Sequence, residues 1–167
     1  EEPGFREALV HFPPGTPIYG EVPTELQPAL SQASHYIVWC GYAANLSFFA
    51  HLDAGQRFYQ YPRLLDPTAP RYLALIFDCS DLSFAVNNMP ALWERWGRGS
   101  VPLGWALPAG LLQAAPPVLR RYYADAYRSG LDDFVLGPTG AGDMDLSAAS
   151  APYAFLEATA RAAAALD

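Results

Sequence analysis

Tyr72-Leu73-Ala74-Leu75-Ile76-Phe77, closed by Asp78, is the stretch on which the fold turns. The apolar run is unbroken, short for a helix, and ends on a polar residue, so it predicts a strand buried on both faces, as in a parallel sheet. Downstream, the segment 82–96 places Leu82, Ala85, Val86, Met89, Leu92, Trp93 and Trp96 on one side at helical spacing. Pro90 falls inside that segment and, lacking an N–H, predicts a kink or a split. A further strand is expected over 101–107. The segment 111–128 reads as helical, with Pro116-Pro117 opening a second helix rather than interrupting one. Phe134-Val135-Leu136 is the last expected strand, followed by the glycine-rich loop 137–142 and an alanine-rich amphipathic helix over 151–166.

Upstream the same alternation holds. Thr16-Pro17-Ile18-Tyr19-Gly20 is a short extended run, and Thr24 is placed to cap a helix over 25–34. His35-Tyr36-Ile37-Val38-Trp39-Cys40 is a second continuous apolar run, and Asn45 is placed to cap a short helix over 46–52. The stretch 53–70, with three prolines and a glycine, predicts a long irregular loop, a kind of segment that is often functional. Strands alternating with helices define an α/β fold with a parallel sheet, either a (β/α) barrel or part of one, or an open doubly wound sheet. Residues 1–167 are expected to form a single domain of a larger protein. Both architectures gather ligand-handling residues just after the strands.

Composition narrows the function. The chain has 167 residues and a net charge of −7, and all ten basic residues are arginines. An acidic chain with scattered arginines lacks the clustered basic face of a nucleic-acid binder. No apolar run approaches the roughly 20 residues that cross a bilayer. The sequence opens at Glu1 rather than Met, which leaves open a removed signal peptide and hence secretion or a cell-surface location. Cys40 and Cys79 each close an apolar run and read as small buried residues at strand ends rather than as a disulfide or a nucleophile.

The polar residues that follow the strands are rich in carboxylates: Glu21 and Glu25, Asp78 and Asp81, Asp143 and Asp145, with Asn45 and Trp105 close to strand ends. Paired carboxylates are what glycoside hydrolysis requires, one to protonate the leaving oxygen and one to attack or to activate water. Asp78, Asp81 and Asp143 are therefore the candidate catalytic residues, and Glu21, Asn45, Trp105 and Asp145 the candidate substrate contacts. Asp81 also stands where a helix N-cap belongs. No cofactor is expected. A hard cation, Mg²⁺ or Ca²⁺, on Asp78, Asp143 and Asp145 is the alternative. The loop 137–142 has no Gly-Lys-Ser/Thr ending, and without any lysine the chain lacks the residue a P-loop uses on phosphate.

Taken in order, Leu75-Ile76-Phe77-Asp78-Cys79-Ser80-Asp81-Leu82-Ser83, Pro90-Ala91-Leu92-Trp93, Arg98-Gly99-Ser100-Val101-Pro102-Leu103-Gly104-Trp105, Ala115-Pro116-Pro117-Val118-Leu119, Tyr122-Tyr123 and the stretch from Asp133 to Gly142 resemble the bacterial GxGYxYP family of putative glycoside hydrolases. Pro17-Ile18-Tyr19-Gly20 with Glu25, and Asn45-Leu46-Ser47, extend the resemblance upstream. It implies a barrel-like domain of a larger carbohydrate-active protein, with carbohydrate and the remaining domains as partners. The chain departs from the family at two places. Where the family tends to read Asp-Gly-Asp-Asn, this chain has Asp78-Cys79-Ser80-Asp81, so an acidic position has become Ser80. Where the family has Gly-x-Gly-Tyr-x-Tyr-Pro, this chain has Gly140-Ala141-Gly142-Asp143-Met144-Asp145-Leu146. Asp81, Asp143 or Asp145 are then the carboxylates left to act with Asp78. The alternative is a non-catalytic module that binds carbohydrate or a partner through a degenerate site.

Overall fold

In the computed structural model, which describes residues 3–52, 58–60 and 66–166, five strands alternate with eight helices. The order is α1 (Pro3–Leu9), β1 (Pro17–Tyr19), α2 (Gln27–Gln32), β2 (Tyr36–Val38), α3 (Leu46–Phe49), β3 (Ile76–Asp78), α4 (Leu82–Asn87), α5 (Met89–Trp93), β4 (Leu103–Leu107), α6 (Leu111–Ala114), α7 (Pro116–Ser129), β5 (Asp132–Leu136) and α8 (Pro152–Leu166). The strands form two small parallel sheets, β1-β2 and β3-β4-β5, and among the described residues they do not close into a barrel. The α/β class with parallel strands is thus as the alternation predicted.

Proline chemistry sets several boundaries. Pro90 sits in the first turn of α5, so the segment 82–96 divides into α4 and α5 at Asn88. Pro116 opens α7, and Gly130 ends it in the left-handed conformation at φ 65°. Thr24 does not cap α2: the chain makes a turn there, with Leu26 N–H on Pro23 O at 2.9 Å, and α2 starts at Gln27 with Pro28 in its first turn. The carboxyl end of α2 is satisfied through backbone N–H groups at the Ala33 cap, and at its amino end the apolar Leu26 side chain has no group with which to cap it. The N-terminal helix α1 has no counterpart in the sequence reading. Of the long loop expected over 53–70, residues 53–57 and 61–65 lie outside the described residues, and the remainder holds neither helix nor strand.

One core fills the space between the face of β4 and β5 that carries Trp105, Leu107 and Phe134 and helices α4, α5 and α7. Trp93 is its centre, edge-on to Trp105 and Tyr122 with ring centroids 5.1 and 5.0 Å away and stacked on Phe134 at 5.9 Å. The polar tips of buried tyrosines find backbone acceptors, as burial demands: Tyr122 donates to Ala85 O at 2.8 Å and Tyr123 to Leu166 O at 2.6 Å. A second, smaller core packs Leu9, Ala29 and Leu30 of α1 and α2 on Ile37 of β2. Buried His35 joins these two helices, its Nε2–H donating to Leu9 O at 3.1 Å.

The strand that the sequence marks most strongly is the one that differs most. Only Ile76–Asp78 pair with β4, and the run 71–78 is exposed throughout rather than buried on both faces.

Candidate functional site

The carboxyl ends of β1, β2 and β3 and the loop after β5 come together on one rim. Asp143 pairs backbone to backbone with Ile37, its N–H on Ile37 O at 2.7 Å and its O taking Ile37 N–H at 2.8 Å. This is possible because Gly142 has no side chain: a Cβ there would stand 2.5 Å from Tyr36 Cδ2 and 2.6 Å from Ile37 O. The start of α4 joins the same place through Leu82 N–H on Trp39 O at 3.2 Å. The loop after β5 closes on Ser80, whose Cβ would be 2.6 Å from a Cβ on Gly137. Glu21, just past β1, lays its side chain over Gly41, where any Cβ would overlap its carboxylate.

The candidate residues take distinct places on this rim. Asp78 ends β3, is exposed, and accepts Ser80 N–H on Oδ1 at 2.9 Å. Asp81 caps α4, its Oδ1 accepting Phe84 N–H at 3.1 Å, and it lies near enough to Cys40 to raise the thiol pKa. Burial is the larger cause of that rise, and the backbone N–H of Gly20 opposes it. Asp143 is oriented by the Trp39 indole N–H, 3.1 Å from its Oδ2. Asp145 accepts Ser147 N–H and Oγ–H at 2.9 and 2.7 Å, and these bonds hold its carboxyl below the usual carboxylate range. Asn45 caps α3 through its backbone only, in the left-handed conformation at φ 61°, with its carbonyl accepting from Phe48 and Phe49. Among the described residues, no three His, Cys, Asp or Glu side chains gather where they could share a cation.

Trp105 does not stand on the rim. It is 4% exposed, and its indole N–H donates to Asp132 Oδ1 at 2.9 Å, toward the opposite end of the sheet. The reason is register. Trp105 lies opposite Phe134 and Phe77, on the face that the helices cover. Tyr42 is the aromatic that the rim presents instead, 79% exposed, with its N–H on Ser83 Oγ and its O accepting from Asn87 Nδ2. The sequence signal for it is its place immediately after Gly41, inside the polar stretch that follows β2.

A cavity of about 420 Å³ lies beside the rim, between β1, β2, α6 and α8, and was not foreseen. Tyr19, Tyr36, Gln113 and Arg161 supply its polar groups, and no carboxylate lines it. Tyr19 donates to Gln113 Oε1 at 2.9 Å, and burial, helped by Tyr36 and Cys40, pushes its pKa up to about 12. The two cysteines are unpaired. Cys79 is buried, and its thiol pKa is pushed up to about 12 by burial first and then by Asp78.

Comparison with known proteins adds the following. The model of the GxGYxYP putative glycoside hydrolase C-terminal domain matches residues 71–167, more than half of the chain. No curated protein matches. The crystal structure of a putative hydrolase from Bacteroides thetaiotaomicron VPI-5482 shares the fold with a TM-score of 0.75 at 20% identity, over 96% of this chain. The chain spans 33% of that protein's length.

Proposed function

Because the chain belongs to the GxGYxYP putative glycoside hydrolase C-terminal domain family, we propose that its rim is a glycoside hydrolase-like site in which Asp78 acts with a second carboxylate on a carbohydrate. The observation that carries this reading is that Glu21 follows β1, Asp78 ends β3 and Asp81 follows it, and the Asp143–Ile37 bridge and Leu82 N–H on Trp39 O bring Asp143 and the start of α4 to β2. In such a site one carboxyl group protonates the glycosidic oxygen, and the other attacks the anomeric carbon or activates water. Asp78, which ends β3, would take the first or second of these roles. Asp143, oriented by the Trp39 indole, is the partner we favour, because Asp81 is engaged as a helix cap and Asp145 by Ser147. Glu21 and Asn45 would contact sugar hydroxyls, and the exposed ring of Tyr42 would take over the stacking role expected of Trp105.

The second reading is a carbohydrate-binding module without turnover. Ser80 in place of an acidic residue and the engaged carboxylates of Asp81 and Asp145 favour it. Asp78→Asn in the full-length polypeptide separates the two, assayed against a panel of aryl glycosides and polysaccharides. The enzyme reading expects turnover to fall by at least about 100-fold, the lower end of what a positioned acid or base contributes, with an unchanged thermal midpoint. Unchanged turnover would remove Asp78 from the mechanism. Wild-type binding without turnover, lost in Tyr42→Ala and kept in Asp78→Asn, would establish the module.

A further inference from the structure

The run Tyr72 to Phe77 lies in the open although its composition is that of buried chain. Leu73 is 85% exposed and Ile76 58%, and Tyr72, Leu75 and Phe77 are exposed as well. No charge interrupts the run between Arg71 and Asp78. In the sheet order β3-β4-β5, β3 is terminal and has one open edge. Leu75 O and Cys79 N–H bond to β4, so by strand alternation the N–H and C=O of Ile76 and Asp78 point away from it. Among the described residues no strand pairs with that edge. On the sheet face opposite the helix-covered one, Ile76, Asp78 and Val135 are exposed, whereas Ala106 between them is buried.

The other edge of the same sheet is treated differently. The Gln60 side-chain amide donates to Phe134 O at 3.0 Å and accepts Phe134 N–H, occupying the outer edge of β5 as a strand would. Among the described residues β3 has no such cover, and the run Tyr72 to Phe77 carries none of the proline, lysine or inward charge that blunts natural edge strands.

We propose that the open edge of β3 is an intramolecular joint, which takes up an extended apolar strand from the remainder of the polypeptide. The matching family model describes a C-terminal domain, and the related hydrolase is about three times the length this chain covers, which leaves ample chain to supply it. Main-chain hydrogen bonds to Ile76 and Asp78 would give the pairing its register, and apolar side chains would cover Leu73, Leu75 and Ile76. A second copy of the chain is the competing occupant, and the net charge of −7 on each copy opposes it. The inference does not depend on the hydrolase reading, because it rests on the edge and not on the carboxylate.

Residue-resolved amide hydrogen exchange on the full-length polypeptide tests it, at concentrations where light scattering reads a monomer. Phe77 and Cys79 face β4 and serve as internal references. The joint expects the Ile76 and Asp78 amides to exchange within about tenfold of those references. Near-unprotected exchange at Ile76 and Asp78 would overturn the proposal, as would protection that disappears on dilution, which would assign the edge to a second copy. Leu73→Lys in the same polypeptide is expected to lower its thermal midpoint by several degrees, whereas an unchanged midpoint would show that Leu73 stays in water.

Discussion

Asp132 gathers the Arg98 guanidinium at 2.6 Å, the Ser129 hydroxyl at 2.7 Å and the Trp105 indole N–H at 2.9 Å, while only 6% exposed itself. Arg98 in turn stacks over Trp93, 4.2 Å from the ring centroid, and donates to Trp93 O. A carboxylate so enclosed holds its cation and donors in place, and removing it leaves Arg98 Nη1 and the indole without the acceptor they share, Arg98 keeping only its bond to Trp93 O. Asp132→Ala is therefore expected to lower the unfolding free energy by about 3–5 kcal/mol, read from urea denaturation. A loss under about 1 kcal/mol would mean that the cluster is bridged by solvent. In sequence Asp132-Asp133 is an acidic pair ahead of a short apolar run, indistinguishable from a solvated turn. Only the register that sets Leu103 opposite Asp132 brings it to Arg98, 34 positions away. Glu21, Asp78 and Asp81 were easier to locate, because they end or closely follow β1 and β3 and chain order alone sets them at strand ends.

At the scale of elements, local chemistry that needs no tertiary partner was readable. Pro90 and Pro116 fix helix ends through a missing N–H, wherever the helix is packed, while Gly130, which ends α7 in a left-handed turn, was not read in advance. Asp81 belongs with the two prolines. Its bond to Phe84 N–H predicts that Asp81→Ala costs about 1 kcal/mol through the cap of α4, while Asp81→Ser, which can still accept that bond, recovers most of it. Thermal melts of the two variants decide the matter, and equal losses would show that the carboxylate charge, not the cap, is what α4 needs. Thr24 failed as a cap because its neighbours made a turn first, ending in the Leu26–Pro23 bond. The element β3 failed differently. An apolar run reports that a strand is covered, not by what, and within the described residues only one edge and part of one face of β3 are covered.

The molecule as a whole buries protons that an unfolded chain would release in alkali. Burial raises the pKa of Cys79 and of Tyr19 to about 12, and those of Cys40, Tyr36 and Tyr122 rise with them. Unfolded, the thiols titrate near 9.0 and the phenols near 10.0. Between those values and the folded ones the native state binds more protons than the unfolded state, so stability falls as pH rises. The contribution is complete below about pH 9, wanes from there, and is gone once the folded groups have ionised, at about 12 for Cys79 and Tyr19. Thermal midpoints taken from pH 8 to 11 should decline, and the Tyr19→Phe, Cys79→Ala double variant should decline less steeply. A wild-type curve flat to pH 11 would show that these groups are open to solvent in the native state. What the sequence could not disclose at this scale is the pairing of β2 with the loop after β5 through Ile37 and Asp143, since that contact joins positions 106 apart across a glycine-rich turn.

The Gln60 amide on Phe134 has one more consequence. A sheet grows into a fibril only if every added layer offers a fresh template, which requires two free borders. Among the described residues the three-stranded sheet has one wholly vacant border, because the Gln60 side chain engages the other at Phe134. A second copy that docks through its own β3 border uses up the one vacancy on each side and leaves none behind, because Gln60 already engages the other border at Phe134. Border-to-border growth of whole copies through this sheet stops at the first step.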